Sequence, residues 1–298
     1  MKILLLGKNG QVGWELQRSL APLGELIALD RDSTDYCGDL SNPDAVSETV
    51  KSLKPNVIVN AAAYTAVDKA ETETELAYTI NAKAPETLAQ AAKQIGAWLV
   101  HYSTDYVFNG SGSQAWQETD AVAPLSVYGQ SKLAGEQAIQ AAEGLHLIFR
   151  TSWVYAARGN NFAKTMLRLA KERDQLSVIN DQIGAPTGAE LLADVTAHTI
   201  RTCLKQPELS GLYHLAAAGE TSWYDYARYV LDYARKMGIE LKTAENAITA
   251  IPTSAYPTSA QRPLNSRLNT EKLQSRFSLV LPDWRMGVER MLTEALSY

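Results

Sequence analysis

Cysteine and histidine are scarce in this sequence of 298 residues, which contains two cysteines and four histidines. The cysteines, Cys37 and Cys203, lie far apart in the chain, and their spacing predicts neither a disulfide framework nor a metal site. The histidines are scattered in the same way, so no metal ligands can be named.

Long hydrophobic runs and an excess of positive charge are also lacking. No apolar stretch is long enough to cross a bilayer, and the first one ends at Gly7 after only four residues, too short for the core of a signal peptide. The formal net charge is −5 at pH 7, whereas nucleic-acid binding needs a basic surface. We expect an ordinary globular protein of the cytoplasm that binds neither nucleic acid nor membrane.

The first half of the chain alternates short apolar runs with helical segments. These runs lack the polar alternation of half-exposed strands, as expected for parallel strands that are covered on both faces. Strand and helix in alternation predict right-handed crossovers, and hence an α/β fold with a Rossmann-type, doubly wound parallel sheet. The strands are predicted at residues 2–7, 25–30, 56–62, 97–103 and 146–152.

The motif GKNGQVG, at residues 7–13, follows the first predicted strand and opens the first predicted helix. Its glycines permit a tight turn and let a pyrophosphate approach the helix N-terminus, where free N–H groups and the helix dipole favour anions. Asp30 ends the second strand about twenty residues later, where a carboxylate can accept hydrogen bonds from ribose hydroxyls. Arg31 beside it suits a 2′-phosphate, so NADH and NADPH both stay open as the cofactor.

The pentapeptide YGQSK, residues 128–132, places a tyrosine four residues before a lysine, so a helix brings both to one face. Alone, this spacing would fit a chance pair on an exposed helix. The preceding strand, however, ends in HYSTDYVF, and ligands of a doubly wound sheet bind at the carboxyl ends of its strands. An ammonium about 4 Å from the phenol oxygen would stabilise the phenolate by roughly 4 kcal/mol, about three pKa units. We predict that Tyr128 is a general acid whose pKa Lys132 lowers to about 7.

These motifs resemble those of the extended short-chain dehydrogenases/reductases, whose glycine spacing is G-x-x-G-x-x-G and whose catalytic set is Ser/Thr, Tyr and Lys. Nearly from end to end, the chain is similar to the members of that family that complete dTDP-L-rhamnose synthesis. The closer similarity is carried by segments such as NAAAYTAVDKAE at 60–71, RTSWVYA at 150–156 and INDQIGAPTGAELLAD at 179–194.

The resemblance implies hydride transfer from NADPH or NADH to the C4 keto group of dTDP-4-dehydro-β-L-rhamnose, which yields dTDP-β-L-rhamnose for a cell-envelope polysaccharide such as O antigen. It also implies a homodimer, sometimes with bound Mg²⁺. Residues 1–155 would then form the NAD(P)-binding domain, and residues 156–298 a smaller, mainly substrate-binding lobe. The two parts are expected to be intimately joined, and the chain is free to cross back between them.

The implied site residues fall into three groups. The catalytic group is Thr104, Tyr128 and Lys132. The cofactor group comprises Gly7, Gly10, Gln11, Val12, Gly13, Asp30, Asp39, Leu40, Ala63, Tyr64, Thr65, Tyr102, Tyr128 and Lys132. The substrate group comprises Thr104, Asp105, Tyr128, Trp153, Asn161 and Arg262.

The physical reasons differ among the substrate residues. Asp105 can accept from sugar hydroxyls, and Trp153 offers an apolar platform to a deoxysugar. A turn aspartate and a core tryptophan explain these two residues equally well. The guanidinium of Arg262 suits a diphosphate, although its polar loop at 251–269 could also be only a surface loop.

Two other functions stay open. A sugar-nucleotide dehydratase or epimerase of the same family would begin with the same oxidation. The dehydratases, however, carry Asp-Glu after the threonine, where this chain has Asp105 and Tyr106. A non-catalytic, nucleotide-binding regulatory subunit is expected to have lost Tyr128 or Lys132, and this chain keeps both.

Overall fold

The computed structural model describes residues 1–296, in which helices and short strands alternate along the chain. The strands are β1 (Lys2–Leu6), β2 (Glu25–Leu29), β3 (Val57–Asn60), β4 (Trp98–Thr104), β5 (His146–Thr151), β6 (Val154–Tyr155), β7 (Leu176–Ile179), β8 (Ile183–Gly184), β9 (Thr187–Gly188), β10 (Gly211–His214), β11 (Thr221–Ser222) and β12 (Ile248–Ile251). The helices are α1 (Gln11–Leu20), α2 (Pro43–Leu53), α3 (Val67–Ala70), α4 (Thr74–Tyr78), α5 (Ala84–Ile95), α6 (Val127–Ala141), α7 (Phe162–Glu172), α8 (Ala189–Cys203), α9 (Trp223–Lys236), α10 (Glu271–Phe277) and α11 (Trp284–Leu296).

Six of these strands form one parallel sheet in the order β10-β5-β4-β3-β1-β2. The five strands predicted from the sequence are all in it, with ends that differ by one or two residues, and the predicted α/β fold with a doubly wound parallel sheet is confirmed. The sixth strand, β10, is not predicted. Its four residues begin with a glycine, and only their pairing with β5 identifies them as part of the sheet.

Both faces of the sheet are covered, which explains the unbroken apolar runs in the strands. Successive strand residues point to opposite faces, so Ile3 and Leu5 pack with α1, α8 and α10, while Leu4 and Leu6 pack with α2, α5 and α6. All four side chains are fully buried. The sheet is therefore a rigid platform with its carboxyl edge open to ligands.

A third core lies in the C-terminal half, where α7, α9 and α11 pack around Tyr226 and Trp284. The expectation that the C-terminal part forms a smaller, substrate-binding lobe stays a prediction. The chain nevertheless crosses back to the sheet, because α8 packs on α1 and β10 pairs with β5. The division of the chain at residue 155 stays a prediction.

Within residues 1–296, no helix has the length and apolar character needed to cross a membrane. In the same residues, no group of three or more His, Cys, Asp or Glu side chains is arranged to hold a metal ion. The expected Mg²⁺ therefore stays a prediction without named ligands. Cys37 and Cys203 are free thiols.

A buried ion pair fixes α6 against the sheet. The Arg150 guanidinium on β5 donates to the Glu136 carboxylate on α6, with Nε 3.0 Å from Oε1 and Nη2 2.6 Å from Oε2. The side chains are 5% and 1% exposed. Because α6 also carries Tyr128 and Lys132, this pair helps to set the position of both.

We expect Glu136→Ala to lower the free energy of unfolding by about 3 to 5 kcal/mol, because it leaves the Arg150 charge buried without a partner. Urea unfolding followed by circular dichroism measures this change. The matched control is Glu48→Ala, which removes an exposed i,i+3 pair with Lys51 and should change stability by no more than about 0.5 kcal/mol. Equal effects of the two substitutions would contradict a structural role for the buried pair.

Candidate active site

The glycine motif forms a tight turn between β1 and α1. Gly7 has φ +87°, and a Cβ on it would lie 2.8 Å from the Ala62 nitrogen. A Cβ on Gly13 would lie only 1.9 Å from the Gly7 carbonyl oxygen. No side chain caps the helix at Gly10, so the N–H groups of its first turn are free to bind an anion.

Asp30 lies beside this turn, at the end of β2. Ser33 Oγ donates to Asp30 Oδ1 at 2.8 Å, the Asn9 amide donates to Oδ2, and Lys8 Nζ lies 3.8 Å from Oδ1. Arg31 is exposed next to this group. One edge of the sheet thus carries both kinds of group. The Asp30 carboxylate suits ribose hydroxyls, and the cations Lys8 and Arg31 suit a 2′-phosphate.

The other residues expected near the cofactor occupy varied environments. Tyr64 is held through its backbone, since its N–H donates to Asn81 Oδ1 at 2.9 Å and its carbonyl accepts from Asn81 Nδ2 at 3.0 Å. Leu40 is buried in the core, whereas Asp39 accepts from the backbone and hydroxyl of Ser41. Gln11, Val12 and Ala63 are half-buried and Thr65 is exposed.

Thr104 and Tyr128 meet where β4 ends and α6 begins. Ser126 caps α6 by accepting from the Gly129 N–H at 3.2 Å. A Cβ on Gly129 would lie 2.3 Å from the Tyr106 carbonyl oxygen, so the helix packs directly on the chain after β4. Thr104 lies near enough to the Tyr128 phenol to lower its pKa, although burial has the larger effect.

Lys132 lies one turn further along α6, but its amine points away from the Tyr128 phenol. Its Nζ donates to the Tyr102 carbonyl oxygen at 2.6 Å and lies 3.2 Å from His101 Nε2. Burial raises the pKa of Tyr128 to about 12 and lowers the pKa of Lys132 to about 8. The expectation that Lys132 lowers the tyrosine pKa to about 7 is therefore wrong for this structure, because burial raises that pKa and Lys132 is not among the groups that act on it.

Asp105 is a buried carboxyl and not an exposed turn residue. It is 1% exposed, and its Oδ1 accepts from Thr104 Oγ1 at 3.1 Å. Its Oδ2 is buried and has no hydrogen-bond partner among residues 1–296. Burial raises the pKa of Asp105 to about 6, although hydrogen bonds from Ser266 and Thr104 oppose this shift.

A cavity of about 870 Å³ lies between this centre and the C-terminal lobe, lined among others by Asp68, Tyr106, Phe162, Trp223 and Arg262. The ring of Tyr106, which lines the cavity, meets the ring of Tyr128 edge-on, with centroids 5.5 Å apart, so a wall residue contacts the candidate acid. The walls combine aromatic rings with the guanidinium groups of Arg173 and Arg262, which suits a ligand that is partly apolar and partly anionic.

Arg262 lines this cavity and Trp153 lies behind its wall residue Trp223, and both have partners in the protein. The Arg262 guanidinium pairs with both oxygens of Asp68, at 2.8 and 3.2 Å. The Trp153 ring stacks on Trp223 with centroids 3.6 Å apart. Its backbone has φ +49°, a region that non-glycine residues adopt rarely and often at functional sites.

Asn161 has a local structural role that the sequence did not indicate. Its Oδ1 caps α7 by accepting from the Lys164 N–H at 3.1 Å, and its Nδ2 donates to the Ala156 carbonyl at 2.7 Å and to Gln11 at 3.3 Å. Because these bonds use both ends of the amide, the assignment of Asn161 to the substrate loses its physical support.

Sequence reasoning missed two buried residues at this centre, Asn81 and His101. Asn81 lies in a π-helical segment, Thr79–Lys83, a type of irregularity that is frequent at functional sites, and its Nδ2 also donates to Ser131 Oγ at 3.1 Å. A π-helical turn leaves no clear pattern in the sequence. The Tyr102 hydroxyl, by contrast, is paired with Thr196 at 2.6 Å, so Tyr102 can reach a cofactor only by other atoms.

We expect Asp105→Asn to stabilise the protein at pH 8 and not at pH 4. The folded protein holds the Asp105 proton up to about pH 6 whereas the unfolded chain loses it near 3.8, so stability falls as the pH rises through that window. The difference of about two units corresponds to up to about 3 kcal/mol. Chemical unfolding at several pH values measures it, with exposed Asp35→Asn as the control. A gain in stability that is the same at every pH would contradict the raised pKa of Asp105.

The comparisons with known proteins agree on one family. The family model described as RmlD substrate binding domain matches residues 1–297. The chain is 67% identical over 294 residues to the dTDP-4-dehydrorhamnose reductase of Escherichia coli K12, a match that covers 99% of this chain and 98% of the relative. It is 48% identical to the Burkholderia thailandensis enzyme of the same name over the full length of both chains.

Solved structures show the same likeness. A dTDP-4-dehydrorhamnose reductase from Bacillus anthracis, solved in complex with NADP, has 36% identity and a TM-score of 0.87 over 98% of this chain and 99% of that one. A dTDP-glucose 4,6-dehydratase from Streptomyces venezuelae has a TM-score of 0.81 over 100% of this chain and 97% of that one, at 17% identity. The second likeness shows the fold alone.

Proposed function

The chain belongs to the RmlD substrate binding domain family, and we propose that it reduces the C4 keto group of dTDP-4-dehydro-β-L-rhamnose with hydride from NADPH or NADH. The product is dTDP-β-L-rhamnose, and the reaction is the last step of dTDP-L-rhamnose synthesis. The observation that carries this proposal is the 67% identity to a reductase of that activity across 99% of the chain.

The glycine turn and the carboxyl edge of the sheet suit the cofactor. The first turn of α1 offers N–H groups to the pyrophosphate, and Asp30 can accept from a ribose hydroxyl. Lys8 and Arg31 are the cations within reach of a 2′-phosphate at that edge, which supports use of both NADPH and NADH. Bound NAD(P)H supplies the hydride.

Tyr128 is placed to supply the proton. Its raised pKa, about 12, keeps the phenol protonated at neutral pH, so it can donate to the oxygen that becomes the C4 hydroxyl of the sugar. Thr104 lies beside the phenol, and its own hydroxyl hydrogen is donated to Asp105. The ketone thus gains one hydride from the cofactor and one proton from the phenol, which must then recover a proton from solvent.

The alternative functions have weaker support. The likeness to a dehydratase rests on 17% identity, and the second carboxylate of the dehydratases is missing after Thr104, where Asp105 is followed by Tyr106. A non-catalytic subunit would not need the Tyr128–Thr104 contact, which this chain keeps.

Tyr128→Phe should lower turnover by about 10² to 10⁴, because it removes the proton donor and keeps the ring. The assay is oxidation of NADPH with dTDP-4-dehydro-L-rhamnose, with the product identified by mass. Cofactor affinity should change much less, since Tyr128 is only one of many residues expected to contact the dinucleotide. Tyr233→Phe on α9, which removes a hydroxyl bonded to Thr293, is the control. Turnover within a few-fold of the parent would exclude Tyr128 as the acid.

We assign the diphosphate of the substrate to Arg262. Its planar guanidinium lies at the cavity and already binds a carboxylate with two parallel hydrogen bonds, which is the geometry that phosphate oxygens also accept. Asp68 holds the guanidinium in place until the diphosphate shares or replaces that contact. The Trp153–Trp223 stack next to it offers an apolar face to the sugar.

Arg262→Ala should raise the KM for the dTDP-sugar by roughly tenfold to a hundredfold, the loss of a charge-assisted contact of about 1.5 to 3 kcal/mol. NADPH affinity should stay nearly unchanged. The matched control is Arg267→Ala, since Arg267 lies five residues later and pairs with Glu220 but does not line the cavity. If both variants raise KM equally, the effect belongs to the loop and not to a diphosphate contact.

Other expectations also stay proposals. A homodimer, a cytoplasmic location, bound Mg²⁺ and delivery of the rhamnose to O antigen or lipopolysaccharide are supported by the family resemblance alone. Measurement of the mass in solution, with and without a chelator, tests the first and third of these together.

A further inference from the structure

His101 is a buried histidine that the reaction described above does not use. It lies on β4 between Asn60 of β3 and Lys132 of α6, and the three side chains are 1%, 1% and 2% exposed. Its Nε2 is 3.2 Å from Lys132 Nζ, and its Nδ1 is 3.2 Å from Asn60 Nδ2. The three groups form an unbroken hydrogen-bonded chain that ends at the lysine of the candidate active site.

The backbone fixes the direction of this chain. The Ala62 N–H donates to Asn60 Oδ1 at 3.2 Å, and a backbone N–H can only donate. The amide oxygen of Asn60 therefore faces Ala62, and its NH₂ group faces the ring. Since Nδ2 donates to His101 Nδ1, that ring nitrogen has no hydrogen, and the neutral imidazole carries its hydrogen on Nε2.

The Nε2–H group then points at the Lys132 amine. An ammonium has only donors, so it would place two hydrogens against each other, whereas a neutral amine can accept from Nε2–H. A neutral amine also keeps N–H groups, one of which donates to the Tyr102 carbonyl at 2.6 Å. The ring thus favours the uncharged form of Lys132.

The ionisable groups around Lys132 are few. On α6, Tyr128 lies one turn before it and Glu136 one turn after it, and the Glu136 charge raises the pKa of Lys132. That carboxylate is already paired with Arg150. On β4, burial and the Lys132 charge hold the pKa of His101 well below its ordinary value, so the ring stays neutral. Burial dominates for Lys132 itself and lowers its pKa to about 8.

We propose that Asn60 and His101 are positioning residues for the reaction, which hold an imidazole N–H against the Lys132 amine and thereby couple the charge of Lys132 to the tautomer of the ring. The ammonium form needs the other tautomer, with the hydrogen on Nδ1, and Asn60 must then turn its oxygen away from Ala62. The consequence for catalysis rests on the proposed function, whereas the tautomer and the titration of Lys132 do not.

The direct test is the tautomer of His101 in the unmodified protein without cofactor or substrate. Two-bond ¹⁵N–¹H correlation spectra distinguish the two neutral tautomers, and the chain has only four histidines. The His101 signals are those absent from His101→Leu. We expect hydrogen on Nε2 and none on Nδ1 at pH 9.5, where Lys132 is mostly neutral because burial lowers its pKa to about 8. Hydrogen on Nδ1, or on both nitrogens, would overturn the proposal, and this result needs no variant of Asn60.

The second test uses Asn60→Asp to reverse the direction of the hydrogen bonds that link residue 60, His101 and Lys132. A carboxylate of nearly the same shape can accept from both Ala62 N–H and the ring, so it should move the ring hydrogen to Nδ1 and leave Nε2 free to accept from an ammonium. The titration of Lys132, followed by its ¹³Cε signal and assigned with Lys132→Arg, should move up by about one pH unit or more.

A new carboxylate also acts on Lys132 by its charge alone, and a double-variant cycle separates the two effects. If the His101 ring transmits the effect of residue 60, the upward shift in the Lys132 titration caused by Asn60→Asp should fall to less than half when His101→Leu is also present. An equal shift in both backgrounds would exclude the ring as the coupling element.

Activity gives a further, separable result. The pH profile of kcat should move in the same direction as the Lys132 titration in Asn60→Asp, with KM for the sugar nearly unchanged. A profile that stays in place while the titration moves would exclude the catalytic part of the proposal. If the unmodified protein reduced no dTDP-sugar, the proposed function would fail, while the tautomer and titration results would still stand or fall independently.

Discussion

The close contact between the start of α6 and the carboxyl ends of β4 and β5 is the constraint on which the rest of the site depends. Three features enforce it. Gly129 leaves no room for a side chain against the Tyr106 carbonyl, Ser126 caps the helix at that point, and the Glu136–Arg150 pair fixes the same helix two turns later. With α6 held in this way, Tyr128 can only face the end of β4, and Lys132 must extend beneath it into the sheet.

That burial also decides the acid–base properties of the site. Loss of water favours the neutral form of a buried group, whereas a neighbouring opposite charge or a hydrogen bond favours the charged form. Here the loss of water is the larger effect at Tyr128, Lys132 and Asp105. A phenol that stays protonated is suited to donate a proton in a reduction. An amine that readily becomes neutral is suited to pass a proton on and less suited to stabilise a phenolate.

The sequence predicts the sheet well, because strands buried on both faces leave unbroken apolar runs and the glycine motif marks the first turn. It also brings Thr104 and Tyr128 to the correct edge, since strand ends and helix starts follow from the element order. The sequence does not predict side-chain contacts between elements that are distant in the chain. The spacing of Tyr128 and Lys132 predicts a shared helix face, but the lysine amine reaches past the phenol to Tyr102 and His101 on another element. Asn161, similarly, is used as a helix cap.

Asn81 and His101 were missed for a related reason. Asn81 lies outside the quoted motifs, His101 only begins the segment HYSTDYVF, and both make their contacts with distant parts of the chain. The two halves of the chain are packed against each other, which brings such distant residues together. Helix α8 and strand β10 return from the second half to the sheet, where Thr196 of α8 holds the Tyr102 hydroxyl. Because the Tyr102 carbonyl in turn accepts from Lys132, α8 and the lysine of the candidate site are tied to the same residue. A displacement of α8 would therefore reach the site through β4, without any contact between α8 and a ligand.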